Sequence, residues 1–420
     1  MTDRIFATYL LESPRSVEQA AEILAGEMST GTFIPVPGET PALKERYRTS
    51  VELVEAIEET NAPAFGQPPA LTSSRYFRAR VTVSIPCEMI GTDLTTVQAS
   101  VLGNITELKE VSALRLLDLE LPSAFVQSCA QPRYGIEGTR TLTETHAGPL
   151  VGAVVKPAVG LTPERFGNLV STLVEAGADF VKDDELMADP PYCPFVARVD
   201  AVMRILKDHT QRTGRQVMYA FNITGPVDEM MRRHDTVAAA GGTCVQVNLN
   251  QAGMSALAHV RRHGALVIHG HRSGWGQFSR QAWFGMDFKP YALLWRLVGV
   301  DHLIVTGIRS KFWEPDDSCL AGMRACLTPI QTPGDRVMPA VGSAQWGGQA
   351  PEMVASLGSS DLIYIGGAAV LGHPGGPTAG VAAIRQAWEA ALSGISLAEY
   401  ACEHPALAQS LAKFSGSRGL

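Results

Sequence analysis

From Leu150 onward the chain repeats one unit: an apolar strand, a loop, then an amphipathic helix. Strand patterns fall at 150–155, 180–181, 216–221, 244–247, 266–268, 303–305, 337–341 and 362–365. Helical patterns lie between them, for example at 163–176, 195–212, 227–240, 290–298 and 379–392. Eight such units in about 270 residues is the count and length of a TIM barrel. A doubly wound parallel sheet is the alternative, but no GxGxxG phosphate fingerprint follows the first strand. The first ~135 residues follow another rhythm. Strand patterns at 5–10, 76–85, 95–101 and 111–121 mix with a helical one at 16–28 and a Pro/Gly-rich loop at 35–38. The expectation is therefore an α/β chain. An N-terminal α+β, ferredoxin-like domain (1–135) precedes a TIM (β/α)8 barrel (136–420) that ends in a helical extension.

At 420 residues the chain exceeds one ordinary core, in keeping with two domains. Hydrophobic residues make up 45% and charged residues 18%, a globular composition. No stretch approaches the roughly 20 apolar residues of a membrane span. No secretory segment follows Met1-Thr2-Asp3-Arg4, so a cytoplasmic protein is expected. Seven dispersed cysteines without a CxxC pair fit a reducing compartment, with neither a disulfide framework nor a zinc site. A net charge of −7 argues against nucleic acid as a partner.

One loop stands out. The strand Phe180-Val181 runs straight into Lys182-Asp183-Asp184-Glu185. This is either a solvated acidic loop or a hard-cation site, since carboxylate oxygens suit Mg²⁺. Position favours the second reading, because a TIM barrel keeps its chemistry at the C-terminal ends of its strands. Lys156, Asn222, Thr224, His269, His271, Arg272, Thr306, Lys311, Ser343, Gly366 and Gly367 share that address.

Lys156-Pro157 followed by Gly177-Ala178-Asp179-Phe180-Val181-Lys182-Asp183-Asp184-Glu185 closely resembles the signature of the RuBisCO large subunit. Ser29-Thr30-Gly31-Thr32-Phe33, Gly103-Asn104, His269-Gly270-His271-Arg272, Gly366-Gly367 and Leu371-Gly372-His373-Pro374 are similar to further landmarks, in the same order. The departures are equally clear. Ala158, Val154, Trp275, Ile304, Gly342-Ser343-Ala344 and Phe33 stand where the carboxylases have other residues. The chain therefore resembles a RuBisCO-like protein, a form IV relative, and ribulose bisphosphate carboxylation is not expected.

The resemblance implies a role for each matching residue. Lys182 would carry a CO₂-derived carbamate and hold Mg²⁺ with Asp184 and Glu185. Lys156 would serve as acid/base, and Asn104 would contact the substrate. Asn104 and Glu27 would reach the barrel of a partner subunit, which implies a homodimer with shared active sites. Thr32, Lys311, Gly366 and Gly367 would bind one phosphate. Of a second phosphate site only Arg272 remains, with Ser343 in an altered strand-seven turn, so a monophosphorylated substrate is expected. His271 would orient substrate hydroxyls, and His373 would be structural. Lys311 would also touch a carboxylate.

The leading expectation is an Mg²⁺-dependent enzyme that forms an enediolate from a phosphorylated keto sugar acid. That is the chemistry of a 3-oxo-isoapionate 4-phosphate decarboxylase or transcarboxylase/hydrolase. The alternative is an enolase or isomerase of a methylthio-sugar 1-phosphate in methionine salvage. Phe33, Trp275, Ile304 and Trp346 could line an apolar pocket for it. However, such enolases carry a lysine base at the Asn104 position.

Overall fold

The structure is a computed structural model that describes residues 3–31 and 36–416. It divides into two compact units, Met1–Cys129 with Gly274–Leu294, and Ala130–Ser273 with Trp295–Leu420.

The first unit is built on a five-stranded sheet. Its strands are β1 (Arg4–Ser13), β2 (Ser50–Thr60), β3 (Tyr76–Pro86) and β4 (Ala113–Glu120), in the order β4-β1-β3-β2 and all antiparallel. A two-residue strand from the 274–294 segment, Gly285–Met286, adds to β4 in parallel. Two helices complete the ferredoxin-like pattern. Val17–Glu27 starts where the Ser16 side chain accepts the Gln19 N–H, and it buries Ala20, Ala21 and Leu24. The second, Leu94–Leu102, corrects the strand expected at 95–101. Asp93 caps its start by accepting the Thr95 N–H at 3.0 Å, and Val97 and Val101, one turn apart, are its buried positions. β-branched residues suggested a strand, but the cap and the four-residue apolar spacing prevail. β2 went unforeseen because it is a mostly exposed edge strand rich in glutamate.

The second unit is a closed barrel of eight parallel strands. They are β5 (Leu150–Val154), β6 (Phe180–Lys182), β7 (Met218–Asn222), β8 (Cys244–Asn248), β9 (Val267–His271), β11 (His302–Thr306), β12 (Met338–Gly342) and β13 (Ile363–Ile365), where β10 is the Gly285–Met286 strand of the first unit. Each expected barrel strand is present within a few residues. Inward side chains fill the barrel: Leu150, Phe180, Met218, Cys244, Val267, Met338 and Ile363 form one buried cluster. The helices between strands bury one face each, as in Pro163–Glu175 with Phe166, Val170 and Leu173 inward. All seven cysteines are free. Among the described residues no helix is long and apolar enough to cross a membrane.

Candidate active site at the barrel mouth

β6 ends at Lys182, in register with Val154 of β5 and Ala220 of β7. The next three residues split into two kinds. Asp183 is structural: it is fully buried, accepts from the Tyr219 hydroxyl at 2.6 Å and the Asn222 N–H at 2.8 Å, and pairs with Arg198 at 3.2 Å. The Asp184 carboxylate accepts instead from Lys156 and the Leu186 N–H, and that of Glu185 is partly exposed. Their backbone carbonyls are held from below. Asn222 Nδ2 donates to Asp184 O and Glu185 O, and Asn248 Nδ2 donates to Glu185 O at 2.9 Å. At the other end of β6, Asp179 accepts from Arg385 at 2.7 Å and from the Val151 N–H at 2.8 Å. Asp179 and Asp183 are thus structural anchors, and Lys182, Asp184 and Glu185 are the candidate trio.

Lys182 is buried, and its Nζ donates to Asp183 O at 2.6 Å. Burial lowers its pKa from 10.5 to about 8, although Glu185, Asp184 and Asp183 pull the other way. A buried amine of this kind is partly neutral near physiological pH and therefore nucleophilic. Lys156, half exposed, donates from Nζ to Asp184 Oδ2 at 2.5 Å. Burial opposes ionisation of Asp184. The Lys156 hydrogen bond and the Leu186 N–H outweigh it and hold the carboxyl below the usual range. His271 Nε2 lies 3.6 Å from Glu185 Oε2. Burial, then the charges of Lys182 and Arg272, keep this imidazole well below its ordinary pKa and hence neutral. Two carboxylates beside a lysine that can be made anionic form a hard oxygen donor set, which fits Mg²⁺.

The pKa of Lys182 has a measurable consequence. Between about 8 and 10.5 the unfolded chain holds a proton that the folded chain has released. The metal-free, CO₂-free protein should therefore gain stability as pH rises through that window. Urea midpoints of the protein and its Lys182→Met variant should converge toward pH 10.5. A constant gap would show an ordinary lysine.

The other expected residues are placed unevenly. Arg272 is engaged: it pairs with Glu314 at 2.6 Å and bonds Thr306. Lys311 is exposed in the loop after β11, with its amine 5.3 Å from the Phe312 ring centre. The Gly366 N–H is spent on Gly152 O in the barrel ladder. Gly367 opens the short helix Gly367–Leu371, and a Cβ there would meet nothing within 4 Å, so open space lies beside it. His373 is a loop fastener, bonding Ala406 O and the Gly375 N–H, both at 3.0 Å. His269 is wholly buried against Phe180. In the first unit, Asn104 and Glu27 are exposed, Asn104 opening a short turn and Glu27 closing a helix. Thr32 and Phe33 lie outside the described residues. Arg198, Tyr219, Asn248 and Glu314 went unpredicted, because each acts through partners that only the folded chain brings together.

Ser343 and Ala344 follow β12 with φ of 72° and 58°. Side chains resist this left-handed region, at a cost of roughly 1–2 kcal/mol per residue. The strain is held by Gln345, which donates to Ser343 O at 2.9 Å and Ile308 O at 3.1 Å. Strain that the surroundings enforce is a feature of functional sites. Ala344→Gly should raise stability by about 1 kcal/mol in chemical denaturation. An unchanged or lower midpoint would contradict that account.

Comparison with known proteins identifies the family. The family model for the ribulose bisphosphate carboxylase large chain, catalytic domain, matches residues 135–414, and that for the N-terminal domain matches 2–125. A Rhizobium etli protein named 3-oxo-isoapionate-4-phosphate decarboxylase is 45% identical, with 99% of this chain and 100% of that protein covered. A Xanthobacter autotrophicus protein named 3-oxo-isoapionate-4-phosphate transcarboxylase/hydrolase is 46% identical, with 98% and 99% covered. The crystal structure of a rubisco-like protein from Burkholderia fungorum matches with a TM-score of 0.93 at 40% identity, covering 98% of this chain and 100% of that one. Family models that together span nearly the whole chain, and full-length relatives at 45% and 46% identity, make this protein a member of the RuBisCO family, of the RuBisCO-like branch.

Proposed function

We propose that this protein is an Mg²⁺-dependent enzyme that breaks a carbon–carbon bond next to the ketone of a monophosphorylated sugar acid. The substrate is 3-oxo-isoapionate 4-phosphate. Full-length similarity at 45% and 46% identity to the two relatives named for that compound carries the choice of substrate. The trio at the barrel mouth supports the chemistry. Ribulose bisphosphate carboxylation is not its reaction.

Carbamylated Lys182, Asp184 and Glu185 would hold the Mg²⁺. Bound there, the ion would supply Lewis-acid polarisation of the keto oxygen. Lys156 does the proton work. Loss of CO₂ leaves the electron pair of the broken bond on the carbon beside the ketone, as an enediolate. The Lys156 ammonium, held in place by Asp184, delivers the proton that this carbon needs. Neutral His271 can donate one hydrogen bond to a substrate hydroxyl without adding charge. Lys311 and the Gly367 N–H would bind the phosphate. The working form would be a homodimer in the cytoplasm, with Glu27 and Asn104 serving the partner's barrel. A dimeric archaeal Rubisco from Hyperthermus butylicus, at a TM-score of 0.85 and 30% identity, supports that assembly.

The methionine-salvage alternative is the weaker reading, since three of the four residues named for its pocket pack on neighbours, and Phe33 lies outside the described residues. Trp275 packs on Phe288 and Tyr291, Ile304 on the barrel core, and Trp346 on Phe414. The deciding experiment incubates the Mg²⁺-loaded protein with 3-oxo-isoapionate 4-phosphate. CO₂ release that chelation abolishes is the expected result, and an intact substrate would refute the proposal. Counting CO₂ against total carbon–carbon cleavage separates the decarboxylase from the transcarboxylase/hydrolase.

A further inference from the structure

Arg272 follows directly on β9, and Glu314 lies in the loop after β11, so both stand at the strand ends where Lys182 lies. Their side chains are 6% and 4% exposed, so the ion pair is almost wholly withdrawn from water. It is bidentate in form: Nη2 meets Oε2 at 2.6 Å, and Nη1 meets Oε1 at 3.5 Å. Thr306 takes a further bond from Nη2. Glu314 is itself fastened, since Ser318 Oγ donates to its Oε1 at 2.9 Å. The carboxylate also sits just ahead of the helix Asp316–Leu327, whose N-terminal end favours negative charge. A guanidinium fork matches a carboxylate or a phosphate equally well. Here an internal carboxylate already fills it.

We propose that Glu314 is a specificity-determining residue, a built-in anion that occupies Arg272 and so excludes a second phosphate from the barrel mouth. This rests on the reading of the substrate as a monophosphate. The chain closes an anion site with its own side chain, and a substrate bearing two phosphates would have to displace a buried, doubly hydrogen-bonded carboxylate.

Glu314→Gln tests this, because a neutral amide of the same shape leaves the guanidinium charge uncompensated. The probes are ribulose 1,5-bisphosphate and ribulose 5-phosphate, titrated calorimetrically into the Mg²⁺-loaded protein. The unaltered protein should bind the two within about threefold of each other. Glu314→Gln should gain about tenfold for the bisphosphate alone, the scale of one new charge-assisted contact. Adding Arg272→Met should cancel the gain. Glu314→Asp, which draws the charge back by one methylene, should give an intermediate gain and serves if the glutamine variant misfolds. An unchanged ratio, equal gains for both probes, or a gain that survives Arg272→Met would overturn the proposal. A protein that releases no CO₂ from 3-oxo-isoapionate 4-phosphate but shows this bisphosphate gain would fail only the substrate reading.

Discussion

Lys182→Met should abolish turnover, by on the order of 10³-fold or more, without weakening the fold. The two effects separate because the lysine is an energetic liability in the folded state. It lies buried, and burial lowers its pKa to about 8. Methionine has similar volume and nothing to desolvate, so the urea midpoint should stay level or rise. It also has no amine to take up CO₂ and no oxygen to offer a cation. Calorimetry should therefore show loss of Mg²⁺ binding in bicarbonate buffer. A variant that still turns over at a tenth of the normal rate would remove Lys182 from the centre. One that loses activity only by unfolding would make it structural.

The largest stability effect is expected at Arg198. It lies on the helix Phe195–Thr213 and is wholly buried. One guanidinium satisfies Cys193 O at 3.0 Å, Met187 O at 3.0 Å, Ala188 O at 2.6 Å and the Asp183 carboxylate at 3.2 Å. Arg198→Met leaves the buried Asp183 carboxylate without its counter-charge and several carbonyls without a donor, which costs about 3–5 kcal/mol. The damage should also reach the chemistry, because Asp183 immediately precedes Asp184. On the exposed side of the same helix, Arg212 pairs with Glu175 in solvent, and Arg212→Met should change stability by only about 0.5 kcal/mol. Urea unfolding of both variants checks the contrast, and equal losses would contradict it.

The barrel was legible because its strands are buried and most carry a short apolar run between loop signals. The first unit was harder. The 95–101 segment carries strand-forming residues but folds as a helix, because Asp93 caps it and Val97 and Val101 fall one turn apart. β2 offered no apolar face to read. The candidate trio was legible for a different reason: Lys182, Asp184 and Glu185 lie within four consecutive residues directly after an apolar strand.

Local sequence therefore determined the barrel strands, the candidate trio and the family resemblance, because each depends on residues close together in the chain. Tertiary structure decided which charges remain available for chemistry. Asp183 and Asp184 are adjacent and identical in type, yet Arg198 and Tyr219 claim the first while Lys156 bonds the second. Arg272 looked like an open anion site until Glu314, 42 residues onward, was seen to fill it. An ionised side chain is governed by whichever partner folding brings within hydrogen-bond reach, and no local pattern in the chain specifies that partner.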